Sequence, residues 1–203
     1  MIIIETLSLS DAFKYPFKNP IRLLYALLLI IPILGPLTIW GYVVRLVNEF
    51  IEGRYEEPVK LDIIEDLKLG IIMFLKAIPF IVASIILFLI TSYINTNLGT
   101  VFLLLEMFIA PILIVNFFRK QTIESLFEFD ILKVVKDNFG DYIVAFLKQL
   151  VLSMIFLILS IILIGIPALY FTQSIFIANM YGNFIEQKNP QTFKAQSNEP
   201  LTA

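Results

Sequence analysis

Histidine and cysteine are both missing from this chain of 203 residues. Their absence removes much chemistry at once. There is no zinc site of the His/Cys kind, no HExxH protease, no Ser-His or Cys-His nucleophile, no haem held by His or Cys, and no Cys-ligated iron–sulfur cluster. Disulfides are impossible, so cysteine usage says nothing about redox compartment. Charge is scarce too: fifteen Lys/Arg against seventeen Asp/Glu, 16% of the chain, with a net charge of -2. Neither sign gathers into a tail, which gives no basic face for nucleic acid. The first fifteen residues have no basic stretch followed by a long apolar run, so a cleaved signal peptide is not expected. The first hydrophobic segment is then expected to direct insertion itself.

What the chain has in excess is apolar side chain. Hydrophobic residues make up 59% of it, and the mean hydropathy is +0.87. Ordinary globular domains hold about 45–50% apolar and about 25% charged residues, and a soluble protein of this size could not hide the surplus. The composition predicts an all-α integral membrane protein.

Uncharged runs long enough for a bilayer core, which needs roughly 20 residues, break at three places. Ile33-Leu34-Gly35-Pro36 and Ile164-Gly165-Ile166-Pro167 join a helix-ending Gly to a helix-starting Pro. Asn95-Thr96-Asn97-Leu98-Gly99-Thr100 is an uncharged polar turn. Splitting there predicts six transmembrane helices, at about 20–34, 36–52, 70–94, 100–118, 141–164 and 167–186, arranged as three hairpins. All fifteen Lys/Arg fall between hairpins, outside them, or at segment ends facing those places, so the positive-inside rule puts both termini in the cytoplasm of a cell membrane. The first hairpin leaves two readings open. Its arms of about 16 residues reach only about 24 Å, so it is either a tilted pair in a thinned bilayer or a re-entrant hairpin.

Each hairpin follows an amphipathic stretch: Leu9 to Tyr15, Leu61 to Leu69, and Thr122 to Asp137. In the last, Ile123, Leu126, Phe127, Ile131, Val134 and Val135 recur at helical spacing. Such helices either lie in the cytosolic interface or pack on the ends of the bundle, and the two readings are compatible. One membrane domain, 1–188, is therefore expected from units at about 9–53, 61–119 and 122–187, followed by a polar cytosolic tail at 189–203. The first and third units close alike, on Phe50-Ile51-Glu52-Gly53 and Phe184-Ile185-Glu186-Gln187, as parallel repeats would.

Taken together, Tyr15-Pro16-Phe17 with Asn19-Pro20, Ile31-Pro32-Ile33-Leu34-Gly35, Gly41-Tyr42-x-x-Arg45, Gly53, Pro58, Asp66-Leu67-Lys68, Phe129-Asp130, Asn138-Phe139-Gly140-Asp141-Tyr142 and Gly165-Ile166-Pro167 carry a resemblance. The chain resembles an uncharacterised prokaryotic membrane family, domain of unknown function 4013, over roughly Asp11 to Glu186. It departs from the family between Lys60 and Asp66, where no Trp stands in the acidic patch. The resemblance implies a polytopic helical protein and carries no activity, cofactor or catalytic residue.

Few residues offer chemistry. Glu106 reads as the ionisable side chain well inside an apolar segment, where a carboxylate is costly and a functional role is the default. The structural alternative is a protonated Glu bonded to a neighbouring helix. Arg45 could hold a lipid phosphate or another anion; the structural alternative is pairing with Glu49, four residues on. Thr172, Gln173, Ser174 and Asn179 give the sixth segment polar positions, with Thr172 and Asn179 on one face, either lining a polar path or bonding between helices. Asn138-Phe139-Gly140-Asp141 has part of the GxGD pattern of aspartyl proteases but lacks a second intramembrane Asp; Asp141 reads better as the N-cap of segment five.

No catalytic residues, metal or cofactor are expected. The first expectation is a non-enzymatic membrane protein, a structural, assembly or regulatory partner of other membrane proteins or of itself. The alternative is a small transporter, channel or lipid-handling protein that uses Glu106 and the polar sixth segment.

Overall fold

The computed structural model describes residues 6–19, 25, 27–162 and 165–188. The expected tail at 189–203 and much of the first arm of hairpin one lie outside the described residues. The described chain is helical and holds no strand. Its elements are α1 (Leu9–Lys14), a 3-10 turn (Tyr15–Lys18), α2 (Leu34–Ile51), α3 (Ile63–Ile94), α4 (Thr96–Lys120), α5 (Ile131–Asp137), α6 (Phe139–Leu159), α7 (Gly165–Thr172) and α8 (Ile175–Lys188).

Three of these helices, α3, α4 and α6, are long and apolar enough to cross a membrane. They are also the outer ones. Only 11%, 22% and 28% of their most apolar stretches are buried, and rows such as Leu75, Ile78, Val82, Ile85 and Leu89 on α3 stand exposed. Burial in water would run the other way, with the most apolar helices innermost. The interior belongs instead to α2 and α8. On α2, Tyr42, Val43, Val44, Leu46, Val47, Phe50 and Ile51 are buried, and on α8 every residue from Ile175 to Tyr181 is.

Local chemistry explains the boundaries. Asp62 caps α3, its carboxylate accepting from the amides of Ile64 and Glu65 at 3.1 and 3.0 Å, and Glu65 and Asp66 in the first turn complement the helix dipole. Asn95 then ends α3 and starts α4, its side chain accepting from Asn97 N–H at 2.8 Å. The six-residue polar turn expected at 95–100 thus contracts to one residue, because an extended Asn can close one helix and cap the next. The amphipathic stretch Leu61 to Leu69 is not a separate helix but the first turns of α3.

Two turns differ from expectation. Gly35 and Pro36 lie inside the first turn of α2, where Pro needs no donor partner. The left-handed residue is Ile33, at φ 68°, a strained conformation for a β-branched side chain. Gly35 serves close approach instead: a Cβ there would lie 1.7 Å from the Leu28 carbonyl oxygen. Of the first arm, 27–30 forms a 3-10 turn. Likewise Gly165 opens α7, and the sixth segment is broken between Thr172 and Ile175.

The continuous amphipathic helix expected at Thr122 to Asp137 is interrupted. A 3-10 turn at Glu124–Leu126 precedes α5, because Ser125 turns inward, its hydroxyl donating to the Thr122 carbonyl at 2.5 Å, and Leu126 is buried. The stretch Leu9 to Tyr15 does form α1, with Ser8 as its cap. Phe13 stacks on Phe156 at 5.5 Å and Tyr15 meets Phe50 edge-on at 4.9 Å, so this piece packs on the bundle.

One crossing is unusually close. A Cβ on Gly41 of α2 would lie 1.8 Å from the Asp66 carbonyl oxygen, and one on Gly70 of α3 would lie 1.8 Å from that of Leu37. The two glycines face each other and let the backbones touch.

Candidate functional site

The C-terminal ends of α2 and α4 and the N-terminal end of α3 meet at one end of the bundle, and the ion pairs cluster there. Arg119 donates to Glu52 at 2.6 Å and to Asn48 at 3.3 Å, and Arg54 donates to Glu49 at 2.9 Å. Lys120 pairs with Glu128, which also accepts from Asn116 at 3.1 Å. These contacts hold the Glu128 carboxyl below its usual range, with the Lys120 hydrogen bond the larger cause. Asn116 in turn accepts from the Tyr181 hydroxyl at 2.7 Å, tying α4 to α8.

Arg45 belongs to this end as a structural residue. Its guanidinium donates to the fully buried Asp66 at 2.7 Å and to the Lys60 carbonyl at 2.8 Å. The Tyr25 hydroxyl donates to the other Asp66 oxygen at 2.9 Å. Glu49, expected as its partner, is held by Arg54, and Arg45 reaches instead across the Gly41–Gly70 crossing to a carboxylate that the same crossing buries.

Midway up the bundle is a cavity of about 580 Å³. Its walls are apolar: Ile39, Trp40 and Val43 from α2, Ala77, Phe80 and Ile81 from α3, Ala110, Ile114 and Phe117 from α4. Three polar side chains reach it, Glu106 from α4 and Gln173 and Ser174 from the break between α7 and α8, with Tyr170 beside them. Glu106 stands ten residues from the start of α4, about 15 Å along the helix. It accepts a short hydrogen bond from Ser84 Oγ on α3. The Gln173 amide makes no hydrogen bond among the described residues and is exposed, while Ser174 is 7% exposed. An apolar cavity with a few convergent polar groups is the form of a small-molecule site.

Gln149 on α6 splices the break that places Gln173 and Ser174. Its amide donates to the Thr172 carbonyl at 2.6 Å and its oxygen accepts from Phe176 N–H at 3.5 Å, meeting one of the carbonyls and one of the N–H groups that the break leaves without helical partners. Thr172 takes no part in the cavity: it is buried and its hydroxyl donates to the Ala168 carbonyl at 2.8 Å. Asn179 lies elsewhere, accepting from Leu7 N–H at 3.0 Å. The break puts these two residues on different helices, so the shared face expected for Thr172 and Asn179 does not form. Asp141 is not the N-cap of α6, which is Asn138, but lies in its first turn.

Sequence reasoning missed Gln149, Asp66 and Tyr25, and also two lysines inside long apolar helices. Lys76 donates to the Gln121 carbonyl at 2.8 Å, closing α4, and Lys148 donates to the Leu7 carbonyl at 3.3 Å. A polar side chain on an otherwise apolar helix was the signal available for Gln149, Lys76 and Lys148.

The model of the family described as "Protein of unknown function (DUF4013)" matches residues 24–168, more than two thirds of the chain. The chain belongs to this family. The match spans Gly41, Arg45, Asp66 and Gly70 of the close crossing, together with Glu106, and stops before Gln173 and Ser174. No curated protein and no solved structure matches the chain.

Proposed function

We propose that this protein is an integral membrane protein that holds an amphiphilic molecule in the Glu106 cavity, a lipid-handling role that makes and breaks no covalent bond. One observation carries the reading: Glu106 on α4 and Gln173 and Ser174 in the break between α7 and α8, segments far apart in sequence, converge on an otherwise apolar cavity. A structural role needs no such convergence, which is why ligand handling takes precedence over the partner role that composition alone favoured. The exposed apolar faces of α3, α4 and α6 support a bilayer surround. The clustering of ion pairs at one end supports placing that end in the cytoplasm of a cell membrane. In this arrangement α3, α4 and α6 cross fully. The first hairpin is re-entrant, in keeping with its 3-10 arm at 27–30 and the tight reversal at Ile33.

The test is retention of lipid by the full chain purified in mild detergent, read by native mass spectrometry. Ala110→Trp should fill the cavity and abolish the retained species, and Glu106→Gln should weaken it, with both variants keeping their thermal midpoints. Equal retention by wild type and Ala110→Trp would overturn the reading.

A further inference from the structure

A second pocket, about 290 Å³, lies between residues 6–7, α6 and α8. Its notable member is Lys148, nine residues into α6 and so about 14 Å along a helix that is long and apolar enough to cross a membrane. An ionisable residue at that depth calls for a partner. Among the described residues no carboxylate comes within ion-pair reach of Lys148. Its ammonium touches the Leu7 carbonyl at 3.3 Å and faces the Phe176 ring at 5.8 Å. An ammonium has three donors, and these contacts leave capacity for an anion.

The same pocket is lined by Asp141, Asn179 and Asn183. Asp141 and Lys148 are seven residues apart on α6, hence on one face and about 10 Å apart along its axis. Side chains on a helix lean toward its N-terminus, so Lys148 reaches back toward Asp141. The pocket therefore carries an acid nearer the start of α6 and a base deeper along it, beside the apolar walls of Val144, Phe176 and Phe184. A simple anion would meet Asp141 as a repulsive neighbour, and a simple cation would meet Lys148.

We propose that this pocket binds a zwitterionic aminophospholipid headgroup, with phosphate on Lys148, primary ammonium on Asp141 and the acyl chains leaving over the apolar wall. The site is separate from the Glu106 cavity and does not depend on it. A quaternary amine cannot donate a hydrogen bond to Asp141, and a glycerol headgroup brings no positive charge to it, so the pair selects ethanolamine over choline and glycerol.

Full-length protein in a maltoside detergent, titrated with dihexanoyl phosphatidylethanolamine, phosphatidylcholine and phosphatidylglycerol and followed by calorimetry, tests this. Wild type should prefer the ethanolamine lipid by about tenfold or more. Lys148→Met should lose all three lipids and Lys148→Arg should retain them, which separates lost charge from lost folding. Asp141→Asn should bind phosphatidylglycerol more tightly and lose the ethanolamine preference. Unchanged binding in Lys148→Met, or an unchanged preference in Asp141→Asn, would overturn the assignment. Free phosphoethanolamine binding as tightly as the lipid would overturn the lipid as its source.

Discussion

Replacing Gly41 by Ala should push α2 and α3 apart, and the size of the effect follows from the crossing. The new Cβ would lie 1.8 Å from the Asp66 carbonyl oxygen and 2.8 Å from Gly70 N. Ordinary contact begins near 3.4 Å, so the helices would have to separate by roughly 1.6 Å. The obstructing atoms are backbone and cannot rotate away. Overpacking of this kind costs about 1–3 kcal/mol, and here the upper end is expected, because the same displacement moves Asp66 away from Arg45. A loss of about 3 kcal/mol in a chain of this length corresponds to roughly 6–12 °C in thermal midpoint. Trp40, the chain's single Trp, reports on the same interface, since its ring meets Phe74 of α3 at 5.9 Å. Unfolding in detergent, followed by Trp40 emission, should therefore show a lower midpoint and an altered native spectrum. Gly70→Ala, whose Cβ would meet the Leu37 oxygen at the same distance, should behave alike. Gly140→Ala is the control: nothing lies within 4 Å of its Cβ, and removing unfolded-state freedom should stabilise by about 0.4–1 kcal/mol. A Gly41→Ala protein with an unchanged midpoint and unchanged emission would refute the close crossing.

Three further outcomes are expected. Asp66→Ala, which strands Arg45, should cost about 3–5 kcal/mol, whereas the joint replacement Arg45→Met with Asp66→Leu should cost far less; equal losses in a chemical-denaturation series would count against a buried pair. Gln149→Leu leaves the Thr172 carbonyl and Phe176 N–H without partners, at about 1–3 kcal/mol each, and should speed hydrogen exchange at the Phe176 amide. The depressed carboxyl of Glu128 stabilises the 121–130 turn fully above the ordinary carboxylate range near 4.3, and that contribution is lost as pH falls through its lower folded value. Hydrogen exchange across this turn should hence rise as pH falls below that range, and Lys120→Met, which removes the larger cause of the depression, should flatten the rise; a rise left unchanged by that substitution would remove Lys120 as the cause.

Periodicity and charge placement made α3, α4 and α6 legible, because outward-facing helices advertise themselves by long stretches rich in Ile, Leu and Val, even where Lys76, Glu106 and Lys148 interrupt them. The interior was harder to read. α2 and α8 carry Arg45, Asn48 and Asn179, and local spacing cannot reveal that these polar groups find partners far along the chain, at Asp66, the Phe118 carbonyl and the Leu7 amide. Arg45 illustrates the point: spacing nominated Glu49, four residues away, while the fold supplies Asp66 from across the crossing. The break at 173–174 was also hidden, since nothing in Thr172-Gln173-Ser174 forbids a helix, and it exists because Gln149 satisfies both severed ends. Glu106 was found because one carboxylate in an apolar run has no local explanation. The alternative reading joined it to the polar sixth segment, but spacing could not pick Gln173 and Ser174 over Thr172 and Asn179 as its companions.

The central position of α2 and α8 also sets an order of assembly. In the bilayer setting proposed above, lipid alone would solvate the polar α2 poorly, and one of its two packing partners, α8, is synthesised more than 120 residues later. During translation α2 must therefore rest against α3, which follows at once and fits it through the paired glycines. The finished interior forms only when α8 arrives. Quality control acting on this protein would thus meet an intermediate with one face of α2 uncovered, and variants that loosen the α2–α3 crossing should be degraded during synthesis rather than after it.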